Sequence, residues 1–202
     1  MSERCFRAFI AANLSPQAVD FIHQTIQDRR NHFSNTRWVD PGRVHITLRF
    51  FAGFSEDSVS KIRDLLNSLS GTTRPFPLRL EGLGVFPSSR RARVLWLGID
   101  SNASAVLRNL AARLEQSLGT LGFEREERSF RAHVTLGRFS TPQAIDIRQI
   151  QLSTSYATTI DRLAFYQSTL TPQGPVYRVW SEARLGKAGG KTGGKTGGKT
   201  GY

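Results

Sequence analysis

An internal echo constrains this chain more than any other feature. Arg43-Val44-His45-Ile46-Thr47-Leu48 and Arg131-Ala132-His133-Val134-Thr135-Leu136 share one pattern over six positions. Side chains alternate between the two faces of a strand, so in each copy the histidine and threonine point one way. The aliphatic residues at 46 and 48, and at 134 and 136, point the other way, into a core. Two such strands related by a pseudo-twofold would line a shared cleft with two imidazoles and two hydroxyls. The remaining histidines, His23 and His32, sit on or just beyond the first predicted helix, lack any such echo, and read as surface residues.

Each residue type in the echo has a chemical reason to be there. Histidine, with an unperturbed pKa of roughly 6.5, lets one ring accept a proton while another donates one near neutral pH. Opening a cyclic phosphate needs both actions, because the attacking water must lose a proton and the departing sugar oxygen must gain one. Each positioned group contributes roughly 10²- to 10⁴-fold. Threonine hydroxyls can donate to non-bridging phosphate oxygens, and arginines can offset their charge. The arrangement requires no metal and no cofactor. A zinc site lacks its H-E-x-x-H or cysteine cluster, and a serine hydrolase lacks its G-x-S-x-G elbow.

Around these motifs the hydrophobic pattern predicts a mixed α+β fold of antiparallel sheets with helices packed on their outer faces. A strand is expected over residues 4–12. Ser15 then serves as an N-cap with Pro16 at the first helical position, opening a helix to about Arg30. After the Asp40-Pro41-Gly42 turn comes a strand over 44–52. Ser55 opens a second helix, with Val59, Ile62, Leu65, Leu66 and Leu69 on one face, which Gly71 ends. Strands follow over 77–86 and 92–99. A third helix over 104–118 carries Val106, Leu107, Leu110, Leu114 and Leu118 as its apolar stripe. Further strands are expected over 129–139, 160–168 and 176–184, with Pro142 in a loop.

Composition narrows the partner. At 202 residues and 39% hydrophobic content the chain can bury a core of its own. The formal net charge is +12; four of the five lysines lie at 187–199, so residues 1–186 still carry +8 and 23 arginines. Arginine is the side chain best shaped for bidentate phosphate contact, which makes nucleic acid or another phosphate-bearing molecule the leading class of partner. Residues 187–202 repeat Gly-Gly-Lys-Thr and read as a flexible, appended tail. They match the phosphate-loop pattern at 189–196 and 193–200, but with no strand before and no helix after the match carries no meaning. The charged N-terminus supports neither a signal peptide nor a membrane span, so a cytoplasmic monomer is expected. The single cysteine, Cys5, reads as a buried small hydrophobe.

At these residues the chain resembles the two-histidine phosphoesterases, specifically the bacterial and archaeal RNA 2′,3′-cyclic phosphodiesterases also called 2′-5′ RNA ligases. The mark is a pair of H-x-T-x tetrapeptides, here His45-Ile46-Thr47-Leu48 and His133-Val134-Thr135-Leu136. The likeness covers about residues 4–184. It includes Trp38-Val39 ahead of the first motif, Arg128, Phe130 and Arg138 around the second, and a closing run through Ser168, Leu170, Pro172, Gly174 and Tyr177. Ala132 departs from the proline common before the second histidine. The resemblance implies a bilobal fold over 1–186 with a central cleft, one motif per lobe. It also implies hydrolysis of RNA 2′,3′-cyclic phosphate ends to 2′-phosphates and an ability to join or cleave 2′-5′ linkages. By the same analogy His45 is the general acid and His133 the base.

Strand parity puts Arg131 on the face of His133, whereas Arg128 and Arg138 have the other parity and need a bulge or strand end to turn inward. Thr47, Thr135 and the three arginines are the candidate phosphate ligands. Phe130 is a candidate base-stacking ring that also suits the core. The alternatives are physiological ligation of 2′-5′ RNA ends and an RNA-end-binding module without catalysis.

Overall fold

The computed structural model describes residues 5–33, 35–172 and 174–186. The expectations for residue 4 and for the tail at 187–202 lie outside them. The chain runs β1 (Cys5–Ala12), α1 (Pro16–Arg30), β2 (Thr36–Trp38), β3 (Ile46–Ser55), α2 (Val59–Gly71), β4 (Phe76–Phe86) and β5 (Ala92–Ile99). It continues through α3 (Ser101–Thr120), β6 (Val134–Gln143), β7 (Tyr156–Ile160), β8 (Arg162–Thr171) and β9 (Gly174–Arg184). The strands form two sheets, ordered β3-β1-β8-β9 and β2-β6-β5-β4-β7. Every pairing is antiparallel. The fold is therefore α+β, with one histidine motif leading into each sheet.

Local chemistry explains the helix boundaries. Ser15 caps α1, its hydroxyl accepting from the Ala18 N–H at 3.2 Å, and Pro16 follows at the first helical turn. Helix α3 begins three residues before the expected start because Asp100 is its cap, accepting from Ala103 N–H at 2.9 Å. Its buried stripe is Ala103, Leu107, Leu110, Ala111, Leu114 and Leu118. Val106, expected in that stripe, is 39% exposed, since a helix turns about 100° between neighbours and Leu107 already faces the core. Ile62, Leu66 and Leu69 of α2 are buried as expected. Each such side chain contributes roughly 1.5–3 kcal/mol of burial. Helix α2 packs on β8 and β9, α3 against β3 and β4, and α1 against β7. No helix among the described residues is long and apolar enough to cross a membrane.

Several expectations need correction. Cys5 is exposed at the start of β1, ahead of the run Ala8–Ala12 that is buried. The strand expected over 129–139 begins only at Val134 and continues through Pro142. The β5 ladder is irregular across that stretch, between the Ala92↔Gln143 and Val94↔Arg138 pairs, where a missing N–H is tolerated. The strand expected from 160 is two strands. Ile160 closes β7 in the second sheet and Arg162 opens β8 in the first, so the chain changes sheets at Asp161. The short β2, on the outside of β6, and the polar β7 have no counterpart in the expected pattern.

The sheets repeat one another in register. The β1–β3 ladder pairs Ala12 with Ile46 and Ala11 with Thr47, then passes over Leu48 to pair Ile10 with Arg49. The β5–β6 ladder pairs Leu97 with Val134 and Trp96 with Thr135, then passes over Leu136 to pair Leu95 with Gly137. In both, the unpaired residue is the third after the histidine, so the six-residue echo is also an echo of bulge position. Strand β3, at the edge of its sheet, comes against β6 of the other.

Candidate active site

Both histidines stand one residue ahead of their strands rather than within them. The backbone turns each ring back on itself. His45 Nδ1 lies 2.7 Å from the Arg43 carbonyl oxygen, and His133 Nδ1 lies 2.7 Å from the Arg131 carbonyl oxygen. A carbonyl oxygen only accepts, so each Nδ1 carries hydrogen and donates it. Nε2 is left as the nitrogen free to exchange a proton.

Aromatic walls hold the rings. Phe9 stacks on His45 with centroids 4.5 Å apart, and Tyr177 meets it edge-on at 5.6 Å. His133 meets Phe86 edge-on at 5.0 Å and Trp96 at 6.4 Å. The Trp96 ring lies so close over Gly84 that a Cβ there would overlap it. Burial among these rings lowers His45 to about 4, the Arg43 carbonyl opposing and the charge of His133 adding to the fall. His133 is lowered for the same leading reason, with the Arg131 carbonyl opposing and Arg138 adding. Burial raises the Tyr177 hydroxyl against the charges of Arg43, Arg138 and Arg7. Arg138, of the second sheet, thus acts on a tyrosine that touches the first sheet's histidine as well as on His133.

A cleft of about 1180 Å³ opens beside His133 and includes Thr47, Arg128, Phe130 and Arg131 in its walls. Those four sequence candidates come together there with one histidine. His45, Thr135 and Arg138 lie outside that lining. The strand-parity argument for the arginines does not apply, because residues 128–133 are not strand. Arg128 reaches the cleft in spite of its parity, and Arg131 lies with its guanidinium 5.8 Å from the Phe86 centroid. Phe130 is half-buried, packing on the core while also lining the cleft. Among the described residues no group of three His, Cys, Asp or Glu side chains gathers as a metal cage.

Sequence reasoning missed Arg49. Buried at 9% exposure, its Nε lies 3.1 Å from Glu115, Nη1 lies 3.2 Å from Glu126, and Nη2 donates to the Glu124 carbonyl at 2.6 Å. The available signal was an arginine inside an otherwise apolar strand run, which needs a partner to be buried. The wall rings Phe9, Phe86 and Trp96 carried no signal of their own.

The sequence profile of the 2′-5′ RNA ligase superfamily matches residues 15–171. The chain belongs to the 2′-5′ RNA ligase superfamily. Among superfamily relatives, an RNA 2′,3′-cyclic phosphodiesterase of Archaeoglobus fulgidus is 31% identical, covering 85% of this chain and 96% of its own. One of Aquifex aeolicus is 34% identical over 74% of this chain and 82% of its own. Escherichia coli LigT, crystallised with 3′-AMP, is 26% identical with a TM-score of 0.66, covering 91% of this chain and all of that one. A Thermus thermophilus protein shares the fold at a TM-score of 0.76.

Proposed function

We propose that this superfamily member hydrolyses RNA 2′,3′-cyclic phosphate ends to 2′-phosphates by proton transfer between two histidines and without a metal ion. One observation carries the reading: two imidazoles from separate sheets each have Nδ1 held by a carbonyl two residues back, and the charge of one bears on the other. Relatives named RNA 2′,3′-cyclic phosphodiesterase and a fold neighbour that binds 3′-AMP supply the substrate class.

His133 Nε2 takes a proton from water as the water oxygen bonds to phosphorus. His45 Nε2 gives a proton to O3′ as the P–O3′ bond breaks. Thr47 and Thr135 donate to the non-bridging oxygens, and Arg128, Arg131 and Arg138 offset their charge. With pKa near 4 in the free protein, His45 holds that proton only when an anionic phosphate beside it raises the value. The same step with a 5′-hydroxyl in place of water makes a 2′-5′ linkage, so ligation and its reversal use the same groups. Product identification from a 2′,3′-cyclic dinucleotide in excess EDTA tests the proposal. A 2′-phosphate supports it; a 3′-phosphate, or no turnover by folded protein, removes it.

A further inference from the structure

The cleft beside His133 is larger than its proposed reaction requires. Small-molecule sites occupy roughly 300–1,000 Å³, and this one, at about 1180 Å³, runs from His133 along α3 as far as Gly119. One helix face forms that wall, with Arg108, Ala111, Ala112, Glu115, Gln116 and Gly119 at the three- and four-residue spacing that stacks side chains along one side. Its small residues let a chain approach closely, and the Phe50 ring, 36% exposed, also lines the space.

The charge balance there is one-sided. Of the three acids in the lining, Glu115 and Glu126 are tied to Arg49. Arg108, Arg125, Arg128 and Arg131 form no ion pair among the described residues. Four free guanidiniums thus face Glu127 alone, far from any need of a single phosphate. A 2′,3′-cyclic phosphate closes the 3′ end of a strand, so the rest of the RNA can leave the site only through its 5′ side.

We infer that the α3 wall is a subsite for the nucleotides 5′ of the cyclic phosphate, with Arg108 and Arg125 contacting their backbone phosphates. It rests on the proposed function and makes the preferred substrate an oligonucleotide end rather than a mononucleotide. Stacking by sequence-tolerant rings and phosphate contact by arginine give no base preference.

The test compares kcat/KM for a nucleoside 2′,3′-cyclic monophosphate with that for a tetranucleotide ending in the same cyclic phosphate. A tetranucleotide advantage of about 10-fold or more is expected. The Arg108→Glu/Arg125→Glu variant, both sites being exposed, should erase it and flatten the salt dependence of binding by roughly 1 in log–log slope. Equal values for the two substrates, or an advantage that survives charge reversal, overturns the inference. A second arm separates the two proposals, using fluorescence anisotropy of the labelled tetranucleotide on His133→Ala protein with and without the charge reversal. Weakened binding supports the subsite even if no turnover is ever found, and unchanged binding overturns it whatever the turnover.

Discussion

Arg49 Nη1 lies 3.2 Å from Glu126 Oε2 and joins the edge strand of the first sheet to the segment that delivers the second histidine. The same guanidinium holds Glu115 of α3 and the Glu124 carbonyl. Glu115 in turn accepts from the Glu126 N–H at 3.1 Å. The segment from Phe123 to His133 has no helix or strand of its own, so this network is what fixes the cleft wall.

Removing the arginine alone leaves two carboxylates without their cation. Arg49→Met is expected to cost about 3 kcal/mol, the range for breaking a partly buried pair. Arg49→Lys should recover only part of this, because an ammonium cannot serve three acceptors in one plane. Urea unfolding measures both, and a loss below about 0.5 kcal/mol for Arg49→Met would show the network to be ornamental.

His45→Ala and His133→Ala should each lower turnover of a cyclic phosphate by about 10²- to 10⁴-fold, with the far-ultraviolet circular dichroism spectrum retained. Because both free-enzyme pKa values are lowered, the bell-shaped kcat/KM profile should peak on the acid side of 6.5. A peak above 7 would contradict the roles given to these two rings.

Stability should also follow the His45 proton. The unfolded chain binds it near 6.5 and the folded protein only near 4. Protonation therefore favours the unfolded state, stability is complete above 6.5, and it falls as pH drops towards 4. From the shift the loss is at most about 3 kcal/mol, and less with water reaching the ring. His45→Gln should flatten this slope; an equal slope in the variant would assign the pH dependence to other groups.

Gly84→Ala should displace the Trp96 ring that walls His133. Overpacking of this kind costs about 1–3 kcal/mol. The expected signature is a changed tryptophan emission together with reduced kcat, read by fluorescence and steady-state kinetics. Unaltered emission and rate would mean that the ring relocates without consequence for the site.

The echo at residues 43–48 and 131–136 determined a good deal by itself. It specified two strands with buried Ile46, Leu48, Val134 and Leu136, and it set two histidines in equivalent frames. Those are local properties, because strand alternation and burial depend on neighbours in the chain. Helix α1 was legible for the same reason, with Ser15 and Pro16 marking its start.

Tertiary structure alone decided the rest. That Ile160 and Arg162 belong to different sheets, and that Arg128 reaches the cleft from a non-strand segment, depend on contacts between residues distant in sequence. The lowered histidine values come from rings brought by other strands, Phe9 from β1 and Phe86 from β4. Periodicity reports which face of a strand is wet or dry. It carries no record of what a folded chain later packs against that face, and in this protein that packing sets the proton affinity of both imidazoles.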